Sequence, residues 1–121
     1  MNLMVIGDPH AHPDYDNSRF EKLGKFITKV KPDAVICMGD FADMPSLSSY
    51  DRGTKGFEGR RYQKDIDAAL DAQDRLLHPL KRMKNLKRYM VLGNHEDRIS
   101  RVTNSTPELD GTIGIKDLKY K

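Results

Sequence analysis

Leu3-Met4-Val5-Ile6 runs into Gly7-Asp8-Pro9-His10, Ala34-Val35-Ile36-Cys37-Met38 into Gly39-Asp40-Phe41-Ala42-Asp43, and Tyr89-Met90-Val91-Leu92 into Gly93-Asn94-His95-Glu96. Each is a short apolar run that stops at a glycine followed by a residue able to bind a metal. Such runs suit strands buried on both faces of a parallel sheet. In open α/β sheets ligands collect beyond the carboxyl ends of the strands, so the three clusters are expected to meet at one crevice. A D-x-H alone is frequent by chance, and a lone G-N-H reads equally well as a strand-to-helix turn. The weight of the pattern lies in three clusters in order, each behind a strand.

The segments between the runs read as helices. Phe20, Leu23, Ile27 and Val30 recur at helical spacing, and Ser18 stands three residues before Glu21 as a capping box. A helix is predicted from about Arg19 to Val30, ended by Lys31-Pro32, and the strand-helix-strand unit takes a right-handed crossover by default. From about Tyr62, the residues Ile66, Ala69, Leu70, Gln73, Leu76, Leu77, Leu80 and Met83 trace one apolar face. Pro79 should kink or divide this helix near His78, because it removes a backbone donor and crowds the preceding turn. Asp65, Asp67, Asp71 and Asp74 are read as a solvated face paired with Lys64 and Arg75. A third helix begins near His95. The connection over about 41–61 is long for a compact domain, which marks it as functional or mobile, and 111–121 carries no usable pattern.

The 121 residues provide one domain with a modest core. A net charge of +3 with acidic and basic residues mixed permits a phosphate-bearing substrate without showing one. Cys37, the sole cysteine, lies in an apolar run and is read as a buried thiol in a reducing cytosol. Leu3 to Ile6 is too short for a signal-peptide core and nothing is long enough to span a membrane, so the expected localisation is cytoplasmic, with no membrane partner.

In order and spacing the three clusters resemble the first half of the calcineurin-like metallophosphoesterases, whose pattern begins D-x-H and continues G-D-x-x-D and G-N-H-[DE]. The resemblance covers 3 to about 102. It implies an α/β fold that is half of a four-layer αββα metallophosphoesterase sandwich, a βαβαβ unit with helices on one face, over 1–121. It implies a hydrolase with two divalent metal ions, Mn, Fe, Zn or similar, held by Asp8, His10, Asp40 and Asn94, with Asp40 bridging both. His95 is then the catalytic group that meets the phosphoryl oxygen or protonates the leaving group, and Asp43, Glu96 and Asp97 are carboxylates that orient ligands or cap a helix.

The family's later motifs, an isolated His and a G-H-x-H, have no counterpart, since the histidines are His10, His12, His78 and His95. A complete site is therefore expected to need a second polypeptide, or a missing C-terminal half, and one sheet face is expected to lack its cover. That face is read as built from Val5, Val35, Cys37, Met90 and neighbours in some alternation. His12 is read as solvent-exposed or at the substrate edge, His78 as structural or superficial, and Arg60 and Arg61 as substrate contacts beside the long loop. The basic loop tips the expectation toward a phosphodiesterase or nuclease acting on nucleic acid or a nucleotide. The alternative is a non-catalytic binding module or pseudoenzyme that pairs with another protein.

Overall fold

A computed structural model describes residues 2–47, 61–105 and 113–120. The order is β1 (Leu3–Ile6), α1 (Ser18–Val30), β2 (Ala34–Cys37), a 3-10 turn (Pro45–Leu47), α2 (Tyr62–Leu77), a 3-10 turn (His78–Arg82), β3 (Lys87–Met90), α3 (Asn94–Ser105) and a 3-10 turn (Ile115–Leu118). Pro79 ends α2 as its chemistry requires, and the chain continues as the 3-10 turn. β3 starts two residues earlier than the apolar run suggests, because pairing with β2 carries Lys87 and Arg88 into the sheet. Ser18 does not cap α1. Asn17 holds the cap position without a side-chain capping bond, its amide donating to the Ala68 carbonyl at 3.0 Å, and the Ser18 hydroxyl donates to Asp16 instead.

The sheet is parallel in the order β1-β2-β3, with rows Leu3-Ala34-Lys87, Met4-Val35-Arg88, Val5-Ile36-Tyr89 and Ile6-Cys37-Met90. Successive neighbouring parallel strands joined by right-handed crossovers place both helices on one face. Phe20 and Ile27 of α1 and Ala72 and Leu76 of α2 accordingly form one core with Val35 and Cys37, with Met4, Ile6 and Met90 packed against it. A second core, beyond the strand ends, joins Ala42, Met44, Ile66, Ala69, Ile99 and Leu118.

The register corrects the expected composition of the uncovered face. Val35, Cys37 and Met90 point to the helices. The open face carries Leu3, Val5, Ile36 and Tyr89, and Val5 and Tyr89 are 56% and 54% exposed. The expectation that the basic loop lies beside the crevice falls largely on 48–60, outside the described residues. Among the described residues no helix is long and apolar enough to cross a membrane.

Candidate metal centre

The turns that leave the strands are held together by their own backbone. His10 N–H donates to the Asp40 carbonyl at 2.9 Å, Ala11 N–H to Phe41 at 2.6 Å and Asp43 N–H to Ala11 at 2.9 Å, so β1 and β2 stay in register past their ends. Asp8, His10 and Asp40 all have positive φ, at 31°, 50° and 51°, a conformation that costs non-glycine residues and clusters at functional sites. Gly93 closes the crevice on the β3 side, since a side chain there would overlap the Asp40 carboxylate.

Asp8, His10 and Asp40 each offer a ligand atom, all within 4.8 Å of one another. The His10 tautomer follows from its neighbours. Nδ1 lies 3.1 Å from Asp43 Oδ1, an acceptor, so Nδ1 carries the ring proton, and Nε2 is left with its lone pair, 3.9 Å from Asp40 Oδ2. That nitrogen is buried without a hydrogen-bond partner. A carboxylate behind a histidine whose other nitrogen faces further carboxylates is the usual build of a metal ligand, and this donor set suits a transition metal better than Ca. The residues therefore fit a divalent ion.

Asp43 is the hub of the crevice. Besides His10, its Oδ1 lies 3.2 Å from His95 Nδ1, and its Oδ2 lies 3.8 Å from His12 Nε2. His95 Nδ1 also stands 2.8 Å from the Asp43 carbonyl, an acceptor only, so Nδ1 carries the proton and Nε2 is the free basic atom. The His10 and His95 rings sit 4.3 Å apart. His10, Asp43 and His95 form a second group able to hold an ion. Asn94 stands exposed at the start of α3, one residue from the His95 N–H that donates to Asp40 Oδ1 at 2.7 Å.

Glu96 is fully buried and accepts four bonds. Oε1 receives the Asp40 N–H at 2.7 Å and the Gly93 N–H at 2.8 Å; Oε2 receives the Ala42 N–H at 2.7 Å and the Tyr120 hydroxyl at 3.0 Å. It ties the β2 turn, the β3 turn and the C-terminal segment to one carboxylate. Asp97, by contrast, is exposed and pairs with Arg101 at 3.4 Å, as a residue of a helix's first turn can.

Two expectations need correction. His12 is not solvent-exposed: its ring is mostly buried, Nδ1 accepts the Asp14 N–H at 3.0 Å, and Nε2 turns toward Asp43. Asp65 is not on a solvated face but is 1% exposed, with Oδ2 accepting the Ser46 N–H at 2.9 Å and burial pushing its carboxyl above the ordinary range. The signal was present in the sequence, because Asp65, Ala69, Ala72 and Leu76 share one helical stripe. Of the Arg60-Arg61 pair, Arg61 is exposed at the N-cap of α2, and Arg60 lies outside the described residues. Tyr120, whose hydroxyl completes the Glu96 cage, lies in a stretch without periodicity and gave no signal.

A sequence model of the calcineurin-like phosphoesterases matches residues 1–118. The Gene 54 protein of Mycobacterium phage L5 is 29% identical over 96 residues, 79% of this chain but 36% of that protein. The chain thus spans little more than a third of this relative's length. No solved structure gives a significant match. With three strand-end turns meeting around Asp8, His10 and Asp40, and a family match over nearly its whole length, the chain belongs to the calcineurin-like phosphoesterase family.

Proposed function

We propose that this chain is the metal-binding half of a dinuclear phosphoester hydrolase acting on phosphodiesters, completed by a second polypeptide or a further segment. The observation that carries the reading is the convergence of Asp8, His10 and Asp40 with the buried, unpartnered Nε2 of His10 among them. Divalent ions there would supply Lewis-acid stabilisation of the phosphoryl oxygens and activation of water.

The chain's own residues do the rest. Asp40 reaches both the His10 side and the α3 side, where the His95 N–H fixes its other oxygen, which suits it to a bridging position. Asp43 orients His10 and holds His95 with Nε2 free. Once protonated, that nitrogen can deliver a proton to the leaving oxygen, with the Asp43 carboxylate compensating the imidazolium charge. Asn94 is the proposed amide ligand of the second ion.

The open face of Leu3, Val5, Ile36 and Tyr89 supports the partner reading, because an exposed apolar sheet face of this kind marks a site of association. The test has two arms. Manganese binding by the chain should be measured by titration calorimetry, and hydrolysis of an aryl phosphodiester should be assayed with the chain alone and co-expressed with the polypeptide encoded beside it. The expected result is metal binding with no more than residual activity alone and ordinary turnover in the assembly. Ordinary turnover by the chain alone would reject the incomplete-site reading, and no metal binding in either form would reject the whole proposal.

A further inference from the structure

On the β1 side of the crevice, Asp8, Pro9, His10, Tyr15, Asp16 and Arg19 line an open cleft of about 580 Å³, within the ordinary range for small-molecule sites. Two of these residues are the candidate ligands Asp8 and His10. The other three polar residues have no part in holding an ion, and each is fixed in a way that suits a ligand beside it.

Arg19 donates from Nη2 to the His10 carbonyl at 2.9 Å, and its Cζ lies 4.7 Å from the centroid of the buried Phe20 ring. A long side chain tied at two points has lost much of its rotamer freedom before any ligand arrives. The bond to His10 uses one of five guanidinium donors, and the planar fork suits phosphate oxygens. Tyr15 is 67% exposed. One side of its ring packs on His12, centroids 4.9 Å apart at 59°, and His12 is itself held by the Asp14 N–H. Asp16 accepts the Ser18 N–H at 2.9 Å and the Ser18 hydroxyl at 3.0 Å, and these bonds hold its carboxyl below the ordinary range. The cleft thus combines a fixed cation beside the metal ligands, an aromatic surface and a fixed anion.

We infer that this cleft seats the organic part of the substrate, a phosphate ester carrying a planar aromatic group: the phosphoryl group lies between the Asp8-His10 turn and Arg19, and the ring stacks on Tyr15. Asp16 accepts hydroxyl or amine donors and repels a second phosphate, so an ester with a single phosphate is preferred to a polyphosphate. The shared chemistry is a ring joined to one phosphate, and either a nucleotide or a simple aryl phosphate supplies it. The inference rests on the phosphoester reading for the position of the phosphoryl group. The ring preference stands on Tyr15.

The test is titration calorimetry on the full chain, with and without manganese, using adenosine monophosphate, adenosine diphosphate, phenyl phosphate and glycerol phosphate. The two ring-bearing monophosphates should bind about tenfold tighter than glycerol phosphate, the scale of one stacked ring. Tyr15→Leu should erase that ratio. Arg19→Gln should weaken all the phosphates by about tenfold, the worth of one charge-assisted contact, with metal affinity and circular dichroism unchanged in both variants. The diphosphate should bind no tighter than the monophosphate. Adenosine monophosphate binding well above phenyl phosphate assigns the cleft to nucleotides, and equal binding assigns it to aryl esters at large. Equal affinity of the wild type for glycerol phosphate and the ring-bearing esters overturns the inference, as does a ratio that survives Tyr15→Leu. Failure to bind manganese would count against the phosphoester reading instead, and the ring ratio without metal would still decide the cleft.

Discussion

Replacing Glu96 by Gln tests whether one buried carboxylate holds the candidate metal centre in shape. All four partners of Glu96 are neutral donors, three of them backbone N–H groups. Gln keeps the volume but has only one accepting end. Its carbonyl is best placed toward Asp40 and Gly93, since the reverse orientation would strand two N–H groups rather than one. The amide nitrogen then faces the Ala42 N–H, a donor against a donor, while the Tyr120 hydroxyl can rotate to accept. A stranded buried N–H costs about 1–3 kcal/mol, and each of the two retained bonds loses about 1 kcal/mol in passing from a charged to a neutral acceptor. Neutralising a desolvated carboxylate returns part of this, leaving about 2–4 kcal/mol. For 121 residues the melting temperature should fall by about 8–16 °C, at about 4 °C per kcal/mol. Because the Asp40 N–H is among the donors, manganese affinity should also fall. Tyr120→Phe removes one donor and leaves the carboxylate three, so it should cost only about 1 kcal/mol. Urea unfolding followed by circular dichroism, with metal titration on the same samples, reads both quantities. An unfolding free energy for Glu96→Gln within about 0.5 kcal/mol of wild type, the usual effect of a surface change, would refute the reasoning.

The sheet register gives a paired test: Val35→Asp faces the helices and should unfold the chain, whereas Val5→Asp lies on the open face and should leave unfolding within about 1 kcal/mol while reducing any association seen by light scattering. Equal damage from both would contradict the assigned faces. Asp40→Asn should lose metal along with activity in the assembled enzyme, and His95→Ala should keep metal while slowing turnover; equal metal loss by elemental analysis would reject that division of roles. Burial raises the Asp65 carboxyl above its unfolded value of 3.8, so the neutral acid favours the folded chain below that value and the contribution is lost as pH rises through the folded one. Asp65→Asn should therefore be at least as stable as wild type at pH 7, with the difference shrinking toward acid pH in urea titrations. A loss above about 1 kcal/mol at pH 7, the worth of an ordinary hydrogen bond, would show that the charge itself is needed.

Much of the architecture was legible because it rests on local rules. Apolar runs ending at Gly7, Gly39 and Gly93 gave the strands, and Pro79 gave the end of α2. The boundaries of β3 were not legible, since Lys87 and Arg88 enter the strand only through pairing with β2. Which sheet face is open depends on register, and short runs apolar at every position carry no alternation to fix it. At the site, motif spacing found Asp8, His10 and Asp40. The resemblance placed Asp43 among the carboxylates that orient ligands or cap a helix, but spacing could not single it out as the one behind both His10 and His95, because that depends on how the backbone turns after Asp40. Nor could spacing separate Glu96 from Asp97: adjacent acids on α3 differ only in which way the helix points them, one into the cage of N–H groups and the other to solvent.

The strain in the crevice bears on why a metal would bind there. Positive φ at Asp8, His10 and Asp40 costs of order 1–3 kcal/mol per residue. What holds these turns is the backbone bonding between His10-Ala11 and Asp40-Phe41, closed by Glu96 on the β3 side. The ligands are therefore ordered before an ion arrives, and binding need not supply the entropy of gathering three separate side chains. The same arrangement brings the Asp8 and Asp40 carboxylates together around an imidazole whose Nε2 has no partner. Two like charges at a site without a counter-charge repel, and a buried nitrogen lone pair without a donor is costly. One divalent cation removes both penalties at once, so the features that make the turns unfavourable as simple connections are those that favour the ion.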